Sequence, residues 1–208
     1  MLSPDIRLLR TGEAPEVFRE LARLHSEEIE GGFLTSLGPR VLAKLYEAIC
    51  SSPDAFIFTA SVDERIVGFL CGSTNTRRVY KRVLRRHGLS LVLAAAPSLF
   101  SWRNIRLSFE TLRYPAKSVP EGLPAAEIQN FCVTQRLHRA GIGRNLFLAM
   151  TTEFHRRGIP QIRIVTGATQ YSAIQFYQKF GATPVGTIDV HSRTVSQLFR
   201  YSIPETVR

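Results

Sequence analysis

The sequence predicts an α/β protein, a mixed sheet with helices on its faces (α+β in the stricter sense). Three observations predict it. Short apolar or β-branched runs alternate with amphipathic stretches along the chain. Two of these runs, residues 55–62 and 66–73, are separated only by Asp63-Glu64-Arg65, the link of an antiparallel hairpin. A later run at 127–133 is followed by an amphipathic stretch and another run at 161–165, which demands a parallel crossover. Antiparallel and parallel neighbours in one chain make the sheet mixed.

The elements follow in order. Residues 5–10 read as a first strand, with Ile6, Leu8 and Leu9 apolar. Residues 15–29 carry apolar side chains at 17, 18, 21, 24 and 29, a helical spacing that Gly31-Gly32 interrupts. A second helix runs through Val41, Leu42, Leu45, Tyr46 and Ile49 and stops at Ser51-Ser52-Pro53. After the hairpin comes a long segment, 74–124, read as helical and irregular. The strand at 127–133 leads into a helix over 141–157, ended by Gly158 and Pro160. A strand at 161–165, a helix at 172–180 and two strands at 184–190 and 195–203 complete the chain, the last two joined around His191-Ser192-Arg193.

The chain has 208 residues, 44% hydrophobic and 21% charged, enough to bury a core as one domain over 1–208 without disulfides or metal. Cys50, Cys71 and Cys132 are odd in number, widely spaced and set in apolar stretches. No CxxC pair occurs, so buried free thiols in a reducing cytoplasm are expected, and no disulfide framework or zinc site. The start, Met1 to Arg7, lacks a signal-peptide pattern. The longest apolar run, 89–100, is broken by Ser90, Pro97 and Ser98 and falls short of a membrane span. A net charge of +10 favours anionic partners without choosing among nucleic acid, anionic lipid and phosphorylated small molecules. His25, His87, His155 and His191 are scattered and suggest no ligand cluster.

The chemistry concentrates where the strand ending at Val133 passes through a short basic loop into a helix opening on Gly141-Ile142-Gly143. A helix N-terminus presents unpaired N–H groups and the positive end of the dipole, and glycines let an anion approach the backbone. Arg136, Arg139 and Arg144 add charge. A P-loop would need Lys-Ser/Thr after its last glycine, and a Rossmann turn would need glycine where Leu146 stands; neither is present. On the plainest reading the two glycines only start a helix.

Context narrows the choice. His138-Arg139-Ala140-Gly141-Ile142-Gly143, five residues beyond Val133, resembles the acyl-CoA-binding motif [QR]xxGx[GA] of the GNAT superfamily of N-acetyltransferases. His138 departs from it, standing where Gln or Arg is usual. Ala173 to Ala182 resembles the superfamily's A-x-x-[FL]-Y-x-x-x-G-[FA] helix, with Gln170 in place of a frequent Asn. The element order resembles the superfamily fold over nearly the whole chain.

The resemblance implies acetyl-CoA as cosubstrate, no metal, and attack of a small-molecule or peptide amine on the thioester. It implies backbone contacts from Phe131, Cys132 and Val133 to the pantetheine arm, with the Val133 N–H on the oxyanion. His138, Arg139, Ala140, Gly141, Ile142, Gly143 and Arg144 would hold the pyrophosphate, and Gln170, Ala173 and Phe176 the second motif's side. Tyr177 is the matching acid for the leaving thiolate, against a core role in the apolar stripe 173, 174, 177 and 180. Glu127 stands where some members carry a general base, against a solvated strand end; Asn130 fits a strand bulge better than a role with the acceptor. The acceptor would be framed by residues 28–37 and 189–194, where Glu27, Glu28 and Glu30 could attract a cation or form a plain acidic turn. Pairing of last strands into a homodimer is common in the superfamily.

One segment exceeds the family pattern. Residues 75–124 form a helical insert between the third and fourth strands, where a short turn is usual. Arg77, Arg78, Lys81, Arg82, Arg85 and Arg86 alternate with Val79, Tyr80, Val83 and Leu84, a basic amphipathic helix leading into the apolar run. It reads as a helical flap, as a membrane-surface element over 77–100, or as a lid on a lipid-like acyl chain or nucleotide-linked substrate. Two other functions stay open: a long-chain N-acyltransferase, and a non-enzyme that binds nucleic acid or senses CoA.

Overall fold

The computed structural model describes residues 4–29, 33–95, 122–191 and 194–205. The elements are β1 (Asp5–Leu8), α1 (Pro15–Glu28), α2 (Phe33–Ser36), α3 (Pro39–Cys50), β2 (Ala55–Val62), β3 (Arg65–Ser73), α4 (Thr76–Ala95), β4 (Glu127–Val133), a 3-10 turn (Gln135–Leu137), α5 (Ile142–Arg156), β5 (Gln161–Gly167), α6 (Tyr171–Lys179), β6 (Thr183–His191) and β7 (Thr194–Ser202). The short α2 falls in what the sequence offers only as a connection between two helices.

Seven strands form one sheet in the order β1-β2-β3-β4-β5-β7-β6. All neighbours are antiparallel except β4 and β5, which are parallel and paired only at Glu127↔Arg163 and Ile128↔Ile164. The mixed sheet is thus the one expected. The β3–β4 register slips between Cys71 and Gly72, leaving Gln129 as the extra residue of a bulge on β4.

Strand alternation sorts side chains onto two faces. Ile57, Phe69, Cys71 and Cys132 join Phe18, Leu21, Leu24, Leu42, Tyr46 and Ile49 of α1 and α3 in one core. Phe56, Leu70, Ile128, Ile162, Ile164 and Phe199 join Leu146, Phe147, Met150 and Phe154 of α5 in the other. Of the apolar positions 142, 146, 147, 149, 150 and 154 that give α5 its helical spacing, all but the half-buried Ala149 are buried. The insert begins with α4, whose Val79 and Val83 pack into the first core. The rest of the expected insert, 96–121, lies outside the described residues. Cys50, Cys71 and Cys132 are free and buried. Among the described residues no helix is long and apolar enough to cross a membrane.

Candidate active site

The site is built where β4 and β5 part. The Thr134 N–H donates to the Val67 carbonyl at 2.7 Å, closing the β3 side of the ladder. Backbone groups alternate sides along a strand, so Cys132 shares that orientation and the amides of Phe131 and Val133 face the opposite edge. On that edge the β4–β5 pairing has already ended at Ile128. Two consecutive outward amides therefore border an open notch between parallel strands. Of the three residues expected to offer backbone there, Phe131 and Val133 do so. Cys132 points its N–H at β3 and its buried thiol, pushed up by desolvation, into the α1/α3 core.

The N-terminus of α5 sits beside this notch. Gly141 is its N-cap, left-handed at φ 83°, and no side chain caps the helix. A Cβ at Gly141 would meet nothing within 4 Å, so glycine is required there by backbone hand and not by crowding. Arg139 is also left-handed, at φ 65°, a strained conformation for a residue with a Cβ. The first intrahelical bond runs from Asn145 N–H to the Gly141 carbonyl at 3.0 Å. The amides of Ile142, Gly143 and Arg144 precede it and point off the helix end, as first-turn amides must. Gly143 is required for a different reason. A Cβ there would lie 3.3 Å from Phe131 Cζ, 3.7 Å from Phe176 and 3.9 Å from Val133. The absent side chain lets the helix end approach the rim of the notch. Ile142 is buried as an anchor of the helix, while Arg139, Ala140 and Arg144 are exposed. This cradle fits a pyrophosphate: uncapped amides, a positive helix end, open space at Gly141 and two adjacent arginines.

His138, the departure from the motif, has a place of its own. Its Nε2 lies 2.8 Å from the Val133 carbonyl, an acceptor, so Nε2 carries the proton and donates. The imidazole therefore caps the last carbonyl on the open edge of β4. Gln170 caps the end of β5, its Oε1 accepting from Thr166 Oγ1 at 2.7 Å and Gly167 N–H at 3.1 Å.

Tyr177 is buried beneath the notch among Phe131, Phe147, Phe176 and Phe199, with ring centroids 5.6–6.4 Å away. Ala173 and Phe176 pack beside it from the same helix. Desolvation pushes the Tyr177 phenol well above its ordinary range. It stays protonated at any physiological pH and so remains a hydrogen-bond donor.

Glu127 lies at the closed end of the notch. It is 7% exposed, so a solvated strand end is ruled out. Its Oε2 accepts from Arg163 Nη2 at 2.6 Å, Arg163 Nε at 3.0 Å and Thr76 Oγ1 at 2.7 Å. Arg163 is its partner in the last parallel pairs before the strands separate. One oxygen of the carboxylate is thus engaged by two guanidinium nitrogens and a hydroxyl from α4. Asn130 pairs with Cys71 beside the bulge at Gln129.

On the other face, Glu28 reaches the same region from α1. It accepts from Thr134 Oγ1 at 3.2 Å and from the Gln135 N–H at 3.1 Å, tying α1 to the loop behind Val133. Glu27 is paired on the surface with Arg23 at 2.7 Å. Glu30 lies outside the described residues, as do Ser192 and Arg193 of the expected acceptor hairpin. Among the described residues no three His, Cys, Asp or Glu side chains converge as a metal site requires.

Sequence reasoning missed several buried polar groups, Arg163 and His25 among them. Arg163 was signalled weakly by a charge between Ile162 and Ile164 in a buried strand, which needs a partner. His25 gave no signal. It is 1% exposed, with Nδ1 2.5 Å from Tyr46 Oη and Nε2 without a partner among the described residues. Burial depresses its pKa from 6.5 to about 4. As pH falls, the unfolded chain binds this proton before the folded one. Stability is therefore complete above pH 6.5 and declines between 6.5 and about 4. Over that window the loss attributable to His25 is on the order of 3 kcal/mol. In His25→Gln, thermal melts between pH 6.5 and 4.5 should fall less steeply than in the parent; an unchanged slope would contradict the assignment.

Residues 102–182 match the model of the Acetyltransferase (GNAT) family. No curated protein matches the chain in sequence. Solved structures of the same fold include Ard1 from Thermoplasma volcanium, with 16% identity, covering 97% of this chain and 99% of that one, TM-score 0.61. The ribosomal-protein-S18-alanine N-acetyltransferase from Escherichia coli has 12% identity, 97% and 94% coverage, and TM-score 0.58. The GNAT acetyltransferase from Streptococcus pneumoniae has 14% identity, 97% and 100% coverage, and TM-score 0.58. The family match thus covers the stretch that carries the notch and the cradle, and the fold of the whole chain is the one these acetyltransferase structures share.

Proposed function

We propose that the protein transfers an acetyl group from acetyl-CoA to a primary amine by direct attack of the amine on the thioester. The observation that carries this reading is the notch itself. β4 and β5 part after two residue pairs, directly beside an uncapped helix N-terminus opening on a left-handed glycine. The amides of Ile142, Gly143 and Arg144 bind pyrophosphate oxygens, with Arg139 and Arg144 adding charge. The outward amides of Phe131 and Val133 hold the extended pantetheine arm as a missing strand would. The Val133 N–H supports the oxyanion that develops on the thioester carbonyl. The Val133 carbonyl is held by His138, and the Thr134 N–H of the same peptide plane by Val67, so the strand end directly after this N–H is fixed before the cosubstrate arrives.

Tyr177 donates a hydrogen bond to the departing sulfur and so stabilises the thiolate. Burial keeps the phenol protonated, so it acts as a donor without titrating, and the thiolate takes up its proton from solvent in exchange for the one the amine loses. Glu127 acts as a structural rivet at the closed end of the notch, since its Oε2 is engaged by Arg163 and Thr76. The amine then enters as free base or loses its proton to solvent.

The test is thermal shift with acetyl-CoA, CoA and palmitoyl-CoA, followed by thiol release over a panel of amines. A ligand of the native state raises stability by about 2.7 kcal/mol at a hundred times Kd. Acetyl-CoA should shift the melt and palmitoyl-CoA should not exceed it; absence of a shift with all three would overturn the reading. With an accepted amine in hand, Tyr177→Phe should lower kcat by roughly a hundredfold with little change in KM for acetyl-CoA. An equal loss in both parameters would make Tyr177 a packing residue.

A further inference from the structure

We infer that the solvent face of α4 docks the protein on an anionic lipid surface. The twenty residues of α4, from Thr76 to Ala95, include six Lys or Arg and no acid. The helix is held by its opposite side, where Val79 and Val83 are buried. What faces water changes character along its length. Arg77, Arg78, Lys81, Arg85 and Arg86 are exposed in the first half. Beyond Arg86 the exposed side chains are Ser90 and three aliphatic ones, Leu89 at 76%, Val92 at 57% and Leu93 at 65%.

These are not two faces of an ordinary amphipathic helix. At 3.6 residues per turn, Arg78, Lys81, Arg85, Leu89 and Val92 fall within about 80° of one another. One stripe therefore runs from cationic to aliphatic, its charged part about 10 Å long and its apolar end about 5 Å. Among the chemistries a basic surface can meet, an anionic bilayer is the one that satisfies both ends. Headgroup phosphates pair with the arginines, and the acyl boundary receives three aliphatic side chains when the helix enters obliquely. Nucleic acid offers phosphates but no partner for exposed Leu and Val, and the stripe carries no aromatic side chain on which a base could stack. A second copy of this helix would bring like charges together.

The experiment is co-sedimentation of the full chain with vesicles of phosphatidylcholine alone and of phosphatidylcholine with about one-third phosphatidylglycerol. Two double variants accompany it, R85E/R86E and L89D/L93D, each checked by thermal melt and by its acetyl-CoA shift. Binding is expected to the anionic vesicles alone. R85E/R86E should weaken it by about 25-fold, from about fivefold per basic residue near such a surface. L89D/L93D should weaken it comparably, with the melt unchanged. No binding to anionic vesicles overturns the inference. So does binding indifferent to L89D/L93D, which marks adsorption by charge alone. A clear drop in the L89D/L93D melt also overturns it, because those side chains would then be covered by the chain itself. Displacement by an oligonucleotide that L89D/L93D still binds reassigns the face to nucleic acid.

Discussion

Gly143→Val is expected to abolish acyl-CoA binding while the protein still folds. The position lies in the first turn of α5, in ordinary helical backbone, so valine costs no helix propensity there, glycine being the poorer helix former. The cost arises across the gap. A Cβ at 143 lies 3.3 Å from Phe131 Cζ, closer than most such contacts, and two γ-methyls extend further toward Val133 and Phe176. Either Phe131 rotates into the notch or the helix end withdraws from it. Both outcomes separate the amides that bind pyrophosphate from the strand edge that binds pantetheine. The thermal shift with acetyl-CoA, about 2.7 kcal/mol at a hundred times the parent's Kd, should vanish. The circular dichroism spectrum and the ligand-free melt should stay close to the parent's. Retention of the full shift would mean that acyl-CoA binds elsewhere. Gly141→Val is a less clean test, because φ 83° strains any side chain there whether or not a ligand binds.

Arg163→Met should produce the largest loss of stability. It leaves the Glu127 carboxylate buried with only Thr76 as donor. Breaking one side of a buried ion pair typically costs about 3–5 kcal/mol, which in a chain of this size lowers Tm by roughly 6–20 °C. The pair belongs to the short parallel ladder, one step before its last pair at Ile128 and Ile164, so the loss should loosen the notch and raise the Kd for acetyl-CoA as well. The double variant E127Q/R163M separates the two roles open to Glu127. If it is a rivet, removing both charges restores most of the stability and the activity. If it is the base, stability returns and turnover does not.

Much of this architecture was legible in the sequence because it depends on local patterns. The hairpin link at Asp63-Glu64-Arg65 and the α5 stripe state their elements directly. So does the apolar strand that leads from Glu127 to Val133. The glycines at 141 and 143 marked the cradle, although the two serve different ends, a left-handed turn at one and a close approach at the other. The reading of Glu127 as base or solvated strand end came from its position along β4 alone. Its environment is set by Arg163 and Thr76, 36 residues after it and 51 before it, and no local pattern reports such a distance. The same holds for Glu28, an acid in a surface turn by sequence and a clamp on Thr134 and Gln135 in the fold.

The sequence by itself determined the elements, their order and the chemical character of the loop between β4 and α5. Period and punctuation are properties of neighbouring residues, and they survive without a partner. Tertiary structure decided which edge of β4 stays open, because that depends on where β5 stops pairing. It decided that His138 turns to the Val133 carbonyl and that Glu127 is engaged, because a polar group's role is fixed by whichever donors the fold brings within 3 Å of it. It also decided which side of α4 meets water. The charges on that helix can be counted in the sequence, but only the burial of Val79 and Val83 orients them.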